Sequence, residues 1–172
     1  NNYDIRAMLR VLLNSNFFRS ENCRYAKVKS PAEFVTGILR LTEEFDVPKR
    51  EISERNAQMT YMGQQLLNPP SVEGWHQGVE WIDTGTLVER INFASEQFGN
   101  LDSPGVKSMI GNILADERKS PGGLVDACLD EMGVLSVSSE TRDALEKFAQ
   151  QSGGSPELTD SERISMMLRL AA

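Results

Sequence analysis

His76 is the only histidine in the chain, so it is the one side chain that histidine-dependent catalysis could use. A Ser-His-Asp or Cys-His site would need it as the general base. Its neighbours in sequence do not form a nucleophile elbow, the sharp turn that exposes a catalytic serine. The surroundings of His76 therefore favour a loop histidine that packs, or is hydrated, beside Trp75.

Three carboxylates, Glu73, Glu80 and Asp83, flank the two tryptophans Trp75 and Trp81. Glycan-handling sites favour this combination, because carboxylates supply the acid and the base while aromatic rings stack on sugars. The alternative is structural, since large aromatic side chains in a loop commonly bury themselves and pin the loop onto neighbouring helices. The glycan interpretation requires exposed rings, and carboxylates about 5–10 Å apart across a groove.

Lys27 and Lys29 precede a helix start, where ammonium groups and backbone amides could receive an anion. A solvated charged loop is the simpler explanation of the two lysines. Gly122 and Gly123 also precede a helix, but the GK[ST] sequence of a phosphate-binding loop does not accompany them. The sequence has no pair of cysteines or histidines at metal-ligand spacing, so neither a metal nor a cofactor is predicted.

The overall composition is that of an ordinary globular domain. The 172 residues are 40% hydrophobic and 25% charged, with a net charge of −7. No apolar run approaches the roughly 20 residues of a membrane span. Basic residues are scattered, which argues against a nucleic-acid partner because phosphate binding needs a concentrated positive surface. The two cysteines, Cys23 and Cys128, lie in apolar-leaning stretches and favour two buried thiols, although their spacing leaves a disulfide open.

Apolar residues recur at helical spacing along nearly the whole chain, which predicts an all-α fold, an irregular multi-helix bundle. The first helix is marked by Ile5, Met8, Leu9 and Leu12. Two-residue alternation comes closest at 134–137, which is too short to anchor a sheet. The helices predicted after the first one span 31–46, 51–67, about 84–98, 104–115, 121–132, 138–150 and 160–171.

Several boundaries of these helices carry clear signals. Ser30 can cap a helix that begins with proline, and Glu33 completes a capping box. Thr159 and Glu162 repeat that pattern before the last helix. Segment 68–83, which we call the tryptophan loop, has two prolines, two glycines and no period, so it is predicted to be irregular. The helix before it is predicted to turn these residues inward: Ile52, Met59, Met62 and Leu66.

Four strings stand out by their order along the chain: NSNFFRSE (14–21), AKVKSPAEFVTGILR (26–40), MGQQLLNPPSVEGWHQGVEWID (62–83) and LVERINFA (87–94). Together they resemble the large bacterial family called domain of unknown function 1800 (DUF1800). His76 is outside the family pattern, in which a proline is common after the tryptophan. The positions that match the pattern are Lys27, Lys29, Ser30, Pro31, Glu33, Arg40, Gly63, Gln64, Pro69, Pro70, Gly74, Trp75, Gly78, Trp81, Arg90 and Asn92.

The resemblance implies a C-terminal portion of a longer bacterial protein. It covers residues 1–98 as a family-like helical part with the tryptophan loop, and leaves 99–172 as a C-terminal helical subdomain of the same domain. Members of the family often occur in proteins with export signals, beside a partner family also of unknown function. An exported or envelope-associated location is therefore implied, whereas no activity or catalytic set is carried over.

Two functional hypotheses follow, and both place the tryptophan loop at the centre. The first is a non-enzymatic helical module with a structural or interaction role, in which ion pairs among Arg40, Arg90 and Glu33 lock the loop. Its partners would be other proteins or the preceding part of the parent chain. The second is binding or hydrolysis of a glycan or another polymer, and an active site elsewhere in the parent chain is a third possibility. The candidate binding residues are Trp75, His76, Trp81, Glu73, Glu80 and Asp83.

Overall fold

Eight α-helices and no strand are found in the part of the chain that the structure describes, so the predicted all-α class is confirmed. A computed structural model describes residues 4–23, 26–45, 47, 49–118, 120–133, 136–152 and 158–172. Two short 3-10 helices occur, at Glu21–Cys23 and Gly78–Trp81. The α-helices are α1 (Ile5–Leu13), α2 (Pro31–Thr42), α3 (Ile52–Tyr61), α4 (Thr84–Gly99), α5 (Pro104–Ala115), α6 (Pro121–Glu131), α7 (Ser139–Ser152) and α8 (Asp160–Ala171).

Capping explains why most helix starts agree with the prediction. Both predicted capping boxes are present, at Ser30 with Glu33 and at Thr159 with Glu162. In each box the hydroxyl accepts a hydrogen bond from a first-turn amide, and the glutamate accepts one from the cap residue's amide. The bounds predicted for α5 and α8 are confirmed at both ends.

Two helices end earlier than predicted. Helix α2 stops at Thr42 because Glu43 adopts a left-handed conformation, with φ 54°. Helix α3 ends at Tyr61, since Gly63 has φ 97° and the Gln64 amide bonds back to the Met59 carbonyl at 2.8 Å. That pattern is a Schellman end, in which glycine supplies the left-handed turn. The inward orientation predicted for Ile52 and Leu66 is therefore wrong: both are exposed, whereas Met59 and Met62 are buried as predicted.

The hydrophobic core is one continuous cluster formed by α2 to α8. Helix α4 packs along α8, α6 packs against α7 and α8, and α2 contacts both α4 and α5. Phe98, Val125 and Leu168 are among its most deeply buried members. Polar contacts tie α8 back to α4, because the Ser165 hydroxyl donates to the Phe98 carbonyl at 2.9 Å. The cluster thus includes residues on both sides of the predicted 98/99 boundary.

Helices α2 and α5 approach each other at backbone distance near Gly105. A Cβ added at Gly105 would lie 2.1 Å from the carbonyl oxygen of Leu41 and 2.8 Å from the Cα of Thr42. The Ser103 hydroxyl donates a buried hydrogen bond to the Thr42 carbonyl at the same crossing. Only glycine fits here, because any side chain would meet main-chain atoms.

Helix α1 differs from the other helices in having none of its residues buried. Asp4 caps it through its carboxylate, which accepts from the amides of Arg6 and Ala7 at 3.0 and 3.2 Å. Its apolar stripe of Ile5, Met8, Leu9 and Leu12, which we call the α1 face, is exposed throughout. No other helix packs closely against α1 within the described ranges.

The two cysteines are free thiols with different surroundings. Cys128 is buried, and this burial, with Glu131 as a smaller cause, raises the pKa of its thiol to about 12. Cys23 is only half-buried, which is more open than predicted. Because the thiolate is the reactive form, we expect Cys23 to react first with a disulfide reagent such as DTNB. The folded protein should release about one equivalent of the reagent's thiol anion and a second equivalent only in denaturant; rapid release of both would contradict this arrangement.

A few sequence expectations fall outside the described residues. They include part of the alternating stretch at 134–137, Pro48, which is expected to stop the second predicted helix, and most of the stretch at 150–157, whose composition predicts flexibility. Within the described part, none of the helices is both long and apolar enough to cross a membrane.

Candidate functional site

The start of α2 and the tryptophan loop, which are distant in sequence, meet around an open cavity of about 640 Å³. The loop folds back toward the residues that precede α2, and both segments line the cavity. Half of the sixteen motif positions singled out above therefore line one cavity. The side chains in the wall include Lys27, Glu33, Gln64, Glu73, Trp75, His76 and Trp81.

The start of α2 is held by a compact set of polar contacts. Lys27 forms an ion pair with Glu33, and the Ser30 amide donates to the same carboxylate at 2.9 Å. The hydrogen bond from Lys27, followed by that from the Ser30 backbone, lowers the pKa of Glu33 to about 2 from 4.5. Glu33 is thus engaged with Lys27, and not with Arg40 or Arg90 as hypothesised.

This depressed pKa gives a testable pH dependence. The contribution of Glu33 to stability is fully present above pH 4.5 and is lost as the pH falls toward 2. We expect Lys27→Met to raise the pKa of Glu33 toward 4.5, because the largest cause of the shift is removed. The side-chain carboxyl carbon of Glu33, followed by NMR during titration, measures this directly. Lys29→Met is the control that should leave the pKa low, and an unchanged pKa in Lys27→Met would show that the ion pair is absent in solution.

The amides at the start of α2 already have protein acceptors. The Ala32 amide donates to the Gln64 side-chain oxygen at 2.8 Å, and the Glu33 amide donates to the Ser30 hydroxyl at 3.3 Å. Proline at the first helical position has no N–H to offer. An anion therefore finds no free amide in the first turn of α2. The ammonium of Lys27 is paired with Glu33, so a solvated charged loop explains Lys27 better than an anion site does.

Gln64 joins the end of α3 to the start of α2. Its side chain is buried, and it lies directly after Gly63, the glycine that ends α3. The left-handed turn at Gly63 is what directs Gln64 toward the Ala32 amide. Gln64 belongs to the sequence motif, but its contact with Ala32 depends on the tertiary fold, which alone brings positions 32 and 64 together.

Arg90 is a buried cation on α4, and its side chain contacts the segment before α2 and the Phe34 ring of α2. Its guanidinium lies 5.1 Å from the centre of the Phe34 ring and donates to the Lys29 carbonyl at 3.0 Å. Burial lowers the pKa of Arg90. Among the described residues no carboxylate pairs with it, so cation–π contact and a carbonyl take the place of the hypothesised ion pair. Arg40 is exposed and borders a separate depression.

The two tryptophans have different roles in the wall. Trp81 is 6% exposed, and its ring meets the edge of His76 with centroids 6.4 Å apart. Its carbonyl accepts from the Thr86 hydroxyl at 3.1 Å, which joins the loop to the start of α4. Trp75 is half-buried, and its indole nitrogen is buried without a partner among the described atoms. Trp81 is therefore mainly an anchor, whereas Trp75 has the more open ring for a ligand to contact.

The three candidate carboxylates are not equivalent. Asp83 caps α4, accepting from the Thr86 amide at 2.9 Å. An oxygen of the Glu80 carboxylate lies 3.4 Å from Nδ1 of His76, and the two form an ion pair only when the histidine is protonated. Glu73 is exposed at the rim of the cavity. Of the three candidates, only Glu73 is thus left without a structural contact. Glycan hydrolysis uses two carboxyl groups, one as acid and one as base or nucleophile.

The chemistry available around His76 is limited in the described part of the chain. The imidazole is 61% exposed, and its described partners are Glu80 and Trp81. No serine, threonine or cysteine of the described ranges hydrogen-bonds to it, so a nucleophile activated by this histidine is not formed. Searching the same residues finds no group of three or more histidine, cysteine, aspartate and glutamate side chains that could hold a metal ion.

Two glycines of the loop have the left-handed backbone that its path requires. Gly74 has φ 96° and Gly78 has φ 60°, and an isolated bridge joins Ser71 to Gly74. These turns place Trp75 in the wall and start the 3-10 helix that carries Trp81. The other motif positions lie outside the cavity wall: Pro31 is buried in α2, and Pro69, Pro70 and Asn92 are exposed.

Comparison with known proteins gives one family match. The family model described as "Protein of unknown function (DUF1800)" matches residues 1–171. The match extends well beyond the region of resemblance noted in the sequence, through all eight helices. No curated protein and no solved structure is significantly similar to the chain.

Proposed function

This chain belongs to the DUF1800 family, and from that premise we propose that it is a non-enzymatic helical module with an interaction role. Its setting in this proposal is a larger, exported bacterial protein, as the family resemblance implies. The tryptophan loop and the start of α2 form a structural clasp, and the binding function belongs to the exposed α1 face. Another protein surface is the proposed ligand.

The observation that carries the proposal is the α1 face. Its four apolar side chains are 47–67% exposed, and Leu13 beside them is 47% exposed. A nine-residue helix is marginal in water on its own, because short helices gain most of their stability from packing an apolar face. A contiguous exposed apolar stripe of this kind is typical of a protein–protein contact.

The clasp supports a structural role for the family motif. Lys27, Glu33, Gln64 and Arg90 are engaged with the protein's own atoms, and Trp81 is buried. Side chains committed in this way hold a backbone in place and leave little free for a substrate. The motif therefore explains how the loop is fixed, which is what an interaction module needs from its scaffold.

Site-specific photo-crosslinking tests the proposal. A benzophenone amino acid replaces Leu9, on the α1 face, in cells that produce the protein. The matched control replaces Val11, which is 73% exposed but points about 110° away from the centre of that face. We expect ultraviolet light to give a discrete protein adduct from position 9 and much less from position 11.

The contrary result is equally clear. If neither position yields an adduct, or if both yield the same adduct in equal amount, the α1 face is not a specific contact and the proposal fails. Circular dichroism of each variant shows whether the fold is retained, so that loss of an adduct is not mistaken for loss of structure.

A second candidate, glycan binding, is favoured by Trp75 alone. Its half-buried ring lies in the cavity wall near the rim carboxylate of Glu73, and an aromatic ring beside an acid can stack on a sugar. Quenching of tryptophan fluorescence by acrylamide, with and without a ladder of soluble glycans, tests this candidate in the variant Trp81→Phe. Protection of Trp75 by glycan would support it, and unchanged quenching across the ladder would reject it.

A further inference from the structure

Met8 differs in exposure from every other methionine of the chain. All seven methionines lie in the described part, and Met8 is the one that is exposed, at 47%. Met132 and Met166 are partly buried. The other four are buried in the core: Met59, Met62, Met109 and Met167. Because methionine oxidation follows exposure, an oxidant in solution attacks Met8 most easily.

The exposed methionine lies in the middle of the α1 face. Ile5 is three residues before Met8 and Leu12 is four residues after it, and these spacings place helix side chains next to each other. A thioether side chain is flexible and polarizable, so it adapts to an irregular apolar surface. Any partner that covers the α1 face therefore covers the Met8 side chain as well.

Oxidation changes the polarity of a methionine side chain with little change in its length. Hydrogen peroxide transfers one oxygen atom to the thioether sulfur: the O–O bond breaks, an S–O bond forms, the sulfur loses two electrons, and the peroxide leaves as water. The sulfoxide oxygen accepts hydrogen bonds, so its burial against apolar surface is unfavourable. Methionine sulfoxide reductases reverse the change, since a pair of thiols becomes a disulfide and the oxygen leaves as water.

We propose that Met8 is a site of reversible oxidation, and that its sulfoxide releases the partner from the α1 face. The inference rests on the proposed interaction role of that face and adds its regulation by peroxide. None of the α1 residues is buried, whereas the four buried methionines belong to the core formed by α2 to α8. Oxidation of Met8 thus weakens the contact and leaves the core intact.

Residue-level mass spectrometry of the purified chain in dilute hydrogen peroxide tests the chemical half of the inference. We expect Met8 to be oxidised about tenfold faster than the four core methionines, because they are shielded from the oxidant. In the urea-denatured chain the seven rates should become similar. Equal rates in the folded chain, or faster oxidation of a core methionine, would overturn the assignment of Met8.

Photo-crosslinking from position 9 tests the functional half. Cells that produce the protein receive a brief pulse of hydrogen peroxide before the ultraviolet light, and the yield of adduct should fall about fivefold or more, because the contact now buries a polar group. Met8→Leu keeps the size of the side chain and forms no sulfoxide, so its adduct should survive the pulse. Met8→Gln carries a permanent polar amide and should give the low yield without peroxide.

The Met8→Leu variant separates Met8 from other groups that peroxide oxidises. Loss of its adduct after the pulse would assign the effect to another group, such as the Cys23 thiol or a residue of the partner, and would overturn the inference. An adduct of the unaltered protein that persists while mass spectrometry shows Met8 as sulfoxide would also overturn it, and the proposed function would stand. Absence of an adduct even without peroxide would defeat the proposed function and the release of a partner together, whereas the assignment of the oxidation site depends only on the purified chain.

Discussion

Replacing Gly105 by alanine is expected to lower the free energy of unfolding by about 3 kcal/mol, the upper end of the usual cost of overpacking. The new Cβ would lie 2.1 Å from the Leu41 carbonyl oxygen, so the α2 and α5 backbones must separate. Separation also stretches the buried hydrogen bond from Ser103 to the Thr42 carbonyl. The higher helix propensity of alanine, about 1 kcal/mol, offsets only part of this cost.

Gly111→Ala is the matched control, because it makes the same change in the same helix. A Cβ at Gly111 meets nothing within 4 Å. That variant should be as stable as the original or up to about 1 kcal/mol more stable. Urea denaturation followed by circular dichroism measures both. Equal stability of the two variants would mean that α2 and α5 do not cross at backbone distance.

Replacing Trp81 by alanine is expected to destabilise the protein by about 3–5 kcal/mol, the usual cost of removing a large buried aromatic side chain. The ring is 6% exposed and packs against His76 within the loop. Trp75→Ala should cost clearly less, since that ring is half-buried. From the sequence alone, the two tryptophans are equal candidates for pinning the loop.

Thermal melts of three variants decide the matter. Val72 lies in the same loop and is fully exposed, so Val72→Ala should have the same melting temperature as the unaltered protein. If Trp81→Ala melts there too, the loop is not anchored by this ring. If Trp75→Ala lowers the melting temperature more than Trp81→Ala does, then Trp75 and not Trp81 is the ring that anchors the loop.

The helices were predictable because their signals are local. A cap hydroxyl, a first-turn proline and a glutamate three residues later define the start of α2. The end of α3 was missed because Gly63 was taken as part of a periodic helix, although a glycine near a helix end commonly terminates it. No sequence period could show that Gly105 touches another backbone, or that the α1 face stays exposed among the described residues.

The sequence motif could not show which of its side chains meet. The structure places motif residues from the start of α2 and from the tryptophan loop around one cavity. Which charges meet depends on tertiary distances: Glu33 pairs with Lys27, whereas Arg90 lies over Phe34. The assignment of function to these residues stays a prediction, and the experiments above address it.

The position of α8 in the core determines when this chain can fold during its synthesis. Helix α8 contributes Ile164, Met167 and Leu168 to the same cluster as Phe98 and Val125. While the ribosome is still adding α8, the parts of α4 and α6 that pack on α8 in the folded chain have no partner at those positions. A nascent chain therefore exposes this surface until the α8 residues have left the exit tunnel, and during that interval it is a substrate for chaperones that bind apolar segments.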